Sequence, residues 1–228
     1  MGLILNIETA TKSCSVSIAR DGALIALKEI QEQKFSHAEK LHSFIEITVK
    51  EAKIQLSDLD AIAVSKGPGS YTGLRIGVSA AKGLSYGLDI PLISISTLET
   101  LTLESLNFGN DISFLCPMMD ARRMEVYTTV FDLEMNQQKP IEAIVLDDDF
   151  AIEFLSQGRV LFFGDGAPKF KEILAHDNAI FANNLYPSSR YMVPLSERKY
   201  INKDFEDKAY FEPFYLKDFV ATKPKKKV

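Results

Sequence analysis

Three histidines, two cysteines and one glycine-rich segment hold most of the chemistry this sequence could perform. His37 and His42 share one amphipathic stretch but stand five residues apart. At 3.6 residues per turn that spacing turns them about 140° from each other, onto different faces. Two imidazoles gripping a metal from one helix need the i, i+4 spacing, and His176 is remote in sequence. Cys14 and Cys116 each sit alone in an apolar run, the pattern of buried, reduced thiols rather than of a disulfide framework or a metal pair. Asp120 and Glu125 could work as a carboxylate pair, yet acids beside Arg122 and Arg123 in a hairpin more often form a solvated salt-bridge cluster. Ser70 lies in a tight turn, and nothing in the sequence supplies it with a histidine base.

The richest segment is Gly67-Pro68-Gly69-Ser70-Tyr71-Thr72-Gly73, followed by Arg75 and Gly77. Glycines let the chain turn sharply and let another group come close. Ser70 or Thr72 can cap the helix that follows, and free N–H groups at a helix start favour anions. No Gly-Lys-Ser/Thr ends the loop, so it is not a Walker loop. A strand-to-helix turn and an anion cradle both remain open. Gly77 and Gly83 fall inside the helix, where each glycine costs roughly 1 kcal/mol relative to alanine. Close approach of another backbone, internal or on a partner, would offset that.

The elements that must position these residues follow from hydrophobic period and turn chemistry. Strands are predicted over 3–7, 14–19 and 23–30, with Asp21-Gly22 as the hairpin turn. Ser36-x-x-Glu39 forms a capping box before a helix reaching about Lys53. A buried strand at 60–64, the loop, a helix over 73–87, a strand at 91–95 and a helix over 97–106 complete the first unit. The second unit repeats the order, with strands at 112–118, 124–131 and 141–146, a helix over 147–157, a strand at 160–163 and a helix started by Pro168. Two such units predict an α/β protein of two related lobes, each a mixed sheet with flanking helices, divided as 1–106 and 107–228 near Asn107-Phe108-Gly109-Asn110. The pattern fades after about Ala182.

Composition narrows the setting. The 228 residues are 46% hydrophobic and 25% charged, as expected of a globular protein, and no apolar run approaches the roughly 20 residues of a membrane span. Met1 to Thr9 carries neither a basic start nor a small-residue cleavage site, so a cytoplasmic protein is expected. The net charge of -5 is the reverse of what a lone nucleic-acid binder shows, leaving only the tail Lys223-Pro224-Lys225-Lys226-Lys227 as a basic run.

Several blocks resemble one family. Ile4-Leu5-Asn6-Ile7-Glu8-Thr9-Ala10 with Cys14-Ser15-Val16, the glycine loop, and Ile95-Ser96-Thr97-Leu98 are similar to the start of TsaB proteins. Asp120-Ala121-Arg122-Arg123-Met124-Glu125-Val126-Tyr127 resembles their interlobe segment, and Glu212-Pro213-Phe214-Tyr215-Leu216-Lys217 their C-terminal signature. The likeness covers nearly the whole chain and is weakest over 136–208; Glu8 stands where many relatives place Asp. It implies the actin-like fold, shared with sugar kinases, and a non-catalytic subunit with no catalytic or metal residues. That subunit would bind a TsaD-type catalytic subunit, work with a TsaE-type ATPase, and meet tRNA through the complex.

Alone it would form a homodimer, with no membrane partner. No cofactor is required by the chain itself, and a nucleotide, ATP or ADP, is implied at the subunit junction. The two glycine- and leucine-bearing helices would supply the partner interface through His37, Leu41, Phe44, Ile45, Gly77 and Ala81, so that Gly77→Leu would block assembly in a folded chain. Glu8, Thr9, Lys12, Asp120 and Arg122 would face a nucleotide or the interlobe space. The first hairpin, Glu8-Thr9-Ala10-Thr11-Lys12, lacks the glycine that kinases of this class place there but keeps a lysine. Two enzyme readings therefore stay open: a metal-dependent transferase or peptidase-like enzyme of the superfamily, and a divergent carbohydrate kinase.

Overall fold

The structure, a computed structural model, describes residues 2–31, 37–106, 108, 111–147 and 149–217. Ser36 of the expected capping box, most of the expected lobe boundary and the Lys-rich tail lie outside these residues.

The first sheet contains β1 (Leu3–Glu8), β2 (Ser13–Arg20), β3 (Ala23–Gln31), β4 (Ala61–Gly67) and β5 (Leu92–Ser96), in the order β3-β2-β1-β4-β5. The Asp21-Gly22 turn joining β2 to β3 has φ of 54° and 77°, the two positive values a tight hairpin turn requires. β1 pairs antiparallel with β2 and parallel with β4, which makes it a central strand buried on both faces. Its side chains alternate accordingly. Leu3, Leu5 and Ile7 pack with α1 (His37–Glu51) and α2 (Tyr71–Gly87), whereas Ile4 packs with Met192 and Leu195 on the opposite face.

The second sheet holds β6 (Phe114–Asp120), β7 (Glu125–Thr128), β8 (Glu142–Val145), β9 (Val160–Phe163) and β10 (Ala179–Phe181). Its order, β10-β9-β6-β7-β8, is that of the first sheet, with β6 again antiparallel to one neighbour and parallel to the other. Two mixed sheets of one topology, linked by α3 (Thr97–Ser105), are the two-lobed actin-like arrangement expected. The helices α4 (Ile152–Leu155) and α5 (Ala167–Lys171) are shorter than predicted; Pro168 does open α5.

The 107–228 lobe needs correction as a packing unit. α6 (Ser189–Asn202) returns to the first sheet, where Met192 and Leu195 join Ile4, Ala61, Ala63, Ile93 and Ile95. Glu206 then bridges Leu92 at the edge of β5. Sequence periodicity missed α6 because Pro194 interrupts it and Glu197, Arg198 and Lys199 dilute its apolar stripe. The lobes also share a core: Ala10, Leu74, Leu98 and Leu101 pack with Leu115, Met119, Phe131, Leu161 and Phe163. Among the described residues no helix is long and apolar enough to cross a membrane.

Candidate functional site

The glycine-rich loop is built around the turn between β1 and β2. Gly67 (φ +110°) leaves β4, and Ser70 caps α2 by accepting the Gly73 N–H at 3.3 Å. The Ser70 N–H donates to Ala10 O (2.7 Å), and the Thr9 hydroxyl donates to Gly73 O (2.8 Å). A Cβ on Gly69 would strike Ala10, one on Gly73 would strike the Thr9 carbonyl, and one on Gly77 would strike Thr9 Oγ1. Three of the glycines thus make room for a neighbouring backbone inside the same chain. His37 holds the other side of the turn, its Nε2–H donating to Thr11 O at 2.7 Å. Burial pushes that imidazole below its ordinary value, so it sits there neutral at pH 7.

Glu8 and Thr9 are fully buried under this assembly and the interlobe core. Glu8 Oε1 accepts the Ala10 N–H at 2.6 Å, while Oε2 is buried without a partner. Desolvation raises the carboxyl from 4.5 to about 7, against opposing hydrogen bonds from Ala10, Ser65 and Thr9. Glu8 and Thr9 expose no surface in this packing, and their hydrogen bonds brace the turn.

Lys12 is exposed and within electrostatic reach of Asp165. Asp120 accepts the Arg122 N–H (2.6 Å) and pairs with Lys169 (2.5 Å); Glu125 pairs with Lys217. The two acids thus form ion pairs, as the salt-bridge reading expected, with Lys169 and Lys217 as the partners. His37 is buried and His42 exposed, on different faces as their spacing required. Among the described residues no three His, Cys, Asp or Glu side chains cluster as metal ligands would.

A C-terminal strap crosses the loop. The Phe214 N–H donates to Lys66 O (2.7 Å), and Arg75 donates to the Tyr215 hydroxyl (3.3 Å). Arg75 also lies over the Tyr71 ring, 4.1 Å from its centroid, and Tyr71 packs on Tyr215 at 5.1 Å. Lys82 holds the strap through the carbonyls of Ala209 and Phe211.

The family model for TsaD, described as tRNA N6-adenosine threonylcarbamoyltransferase, matches residues 29–225. A Bacillus subtilis relative named tRNA threonylcarbamoyladenosine biosynthesis protein TsaB is 33% identical over 174 residues, 75% of this chain and 74% of the relative. The chain belongs to the TsaB family. The Escherichia coli TsaB is 29% identical over 227 residues, 96% of each chain. A solved Pseudomonas aeruginosa protein, described as similar to the peptidase YeaZ, superposes with a TM-score of 0.84 at 23% identity over 95% of this chain and 100% of its own, and so shares the fold.

In this TsaB-family chain the helix-pair residues expected at a partner interface are turned inward. His37, Leu41, Phe44, Ile45, Gly77 and Ala81 are all buried within the monomer, on the faces of α1 and α2 that meet the sheet and the β1–β2 turn. The spacing that put them on one face was read correctly; the face itself is the core side, because the sheet needs an apolar cover. Gly77→Leu would therefore disturb the fold. The outward side of α2 carries Thr72, Arg75, Ser79, Gly83, Tyr86 and Gly87, and a Cβ on Gly83 or Gly87 would meet nothing within 4 Å. At about 100° per residue these six share one arc, with Arg75 the one charged residue among them. Ile47 of α1 is also exposed. The signal for this stripe was present in the sequence as glycines at odds with helix propensity; which of them the fold itself required was not.

Proposed function

We propose that the chain is a non-catalytic subunit of tRNA threonylcarbamoyladenosine formation, docking on a TsaD-type catalytic subunit through the outward face of α1 and α2. The observation that carries this is the outward stripe of α2. A solvent-facing helix surface ordinarily bears several Lys, Glu or Arg, whereas this one, beside Arg75 and Tyr86, bears small uncharged residues and two glycines that weaken the helix without serving any internal contact. Small residues let a second helix approach closely, and the α1–α2 pair supplies a broad platform with the exposed Ile47 and Tyr86 at hand. The TsaB names of its relatives support the same reading.

The same face would pair two copies when no catalytic subunit is present. A TsaE-type ATPase would join the assembly in the cytoplasm, tRNA would be gripped chiefly by the other subunits given a net charge of -5, and ATP or ADP would sit at the junction with no cofactor held by this chain alone. Reconstituted threonylcarbamoyl transfer to tRNA tests the role. Cognate TsaD-type and TsaE-type subunits should show product only when this chain is added, and the chain alone should show none. Equal transfer in its absence would refute the supporting role.

A further inference from the structure

Glu8 is a buried carboxyl that the proposed docking role does not use. It lies at the end of β1 with none of its surface exposed; one oxygen is bound to the Ala10 N–H and the other has no partner. Its hydrogen bonds reach two further parts of the molecule. Ala10 and Thr9 carry the turn that accepts from Ser70 and donates to Gly73, so the carboxyl stands one residue from the start of α2. The Ser65 hydroxyl lies within hydrogen-bonding reach of the carboxyl and shares a 2.8 Å bond with Thr97, the first residue of α3, the helix that leads to the second sheet.

We infer that Glu8 is a proton-dependent positioning residue that pins the glycine-rich loop and the first turn of α2 to the helix entering the second sheet. When neutral, the carboxyl keeps the Ala10 N–H on Oε1 and buries no charge beside the unpartnered Oε2. When ionised, it is a charge sealed from water, and the turn above it is the element that must open to hydrate it. The surrounding elements offer no compensating cation. Lys12 in the turn, His37 on α1, Lys66 at the end of β4, Arg75 on α2, Glu104 on α3 and Asp165 after β9 are titratable groups of those elements, and none is a cause of the raised value of about 7, which burial sets. The pinning holds whether or not α1 and α2 form the docking face.

The sign follows from linkage. Glu8 titrates near 4.5 when the turn is open and near 7 when it is closed, so opening releases a proton. The closed loop is fully favoured below pH 4.5, weakens as pH rises toward 7, and changes no further above that. Hydrogen exchange of the amides of residues 69–74, corrected for intrinsic rates, should therefore lose about tenfold protection per pH unit between pH 5 and 7. Glu8→Gln, which keeps the acceptor for Ala10 and cannot ionise, should hold its protection level across that range. Glu104, also raised to about 7, gives the control: Glu104→Gln should leave the slope at residues 69–74 intact. A carboxyl carbon titration of Glu8 by NMR in the unmodified chain serves if Glu8→Gln fails to fold, and a midpoint well above 4.5 is expected. An unchanged slope in Glu8→Gln, or a Glu8 midpoint at 4.5, would overturn the assignment.

Discussion

Gly83→Leu is expected to leave the chain folded and slightly more stable while abolishing capture of the catalytic subunit. Gly83 lies inside α2, where replacing glycine with a good helix former adds about 1 kcal/mol, and its Cβ direction points into open space. The monomer should therefore melt a few degrees higher. On the docking face the leucine would stand where a second backbone must come close, and loss of roughly 3 kcal/mol of binding, about a hundredfold in affinity, is the expected result. Calorimetric titration with the TsaD-type subunit, paired with a thermal melt of the monomer, reads both effects at once. Gly83→Ala should share the stabilisation and lose less affinity. Unchanged binding by Gly83→Leu would remove the outward face of α2 as the docking surface.

Gly77→Leu should do the opposite. Its Cβ would run into Thr9 Oγ1, the hydroxyl that holds Gly73 O at 2.8 Å. Thr9 is fully buried and cannot step aside without moving the turn that Ser70, Gly69 and His37 all grip. The substitution should cost about 3 kcal/mol of stability, outweighing the gain in helix propensity, and should lower the midpoint of urea unfolding accordingly. Partner binding would fall with it, but only as a consequence of the damaged fold. A Gly77→Leu chain with the unfolding midpoint of the parent would show that the loop and turn are not packed as described. Two glycines six residues apart on one helix thus separate structure from docking.

Much of the architecture was legible because it depends on local rules. Alternating residues set β2, the Asp21-Gly22 pair set its hairpin, and a buried apolar run set β4; each stands within a few residues of where the sequence put it. Repetition of the element order announced two lobes of one topology. α6 escaped because Pro194 and its charged neighbours hide a stripe that only the first sheet makes apolar by covering it.

The candidate site divides in the same way. Residue types alone showed that the histidines cannot share a helix face and that the glycine loop must turn sharply where a backbone comes near. They could not show whose backbone. The answer, Thr9 and Ala10 of the same chain, joins residues about sixty positions apart, and no local pattern encodes such a meeting. Helical period likewise put Leu41, Phe44 and Ile45 together, but an apolar stripe looks the same whether a sheet or a partner covers it. Sequence determined the elements, their order and the family. Tertiary packing decided which side of α1 and α2 is already taken, and that Glu8 lies sealed with half its hydrogen-bonding capacity unused, because burial and partnership are set by the arrival of distant segments and not by the residues themselves.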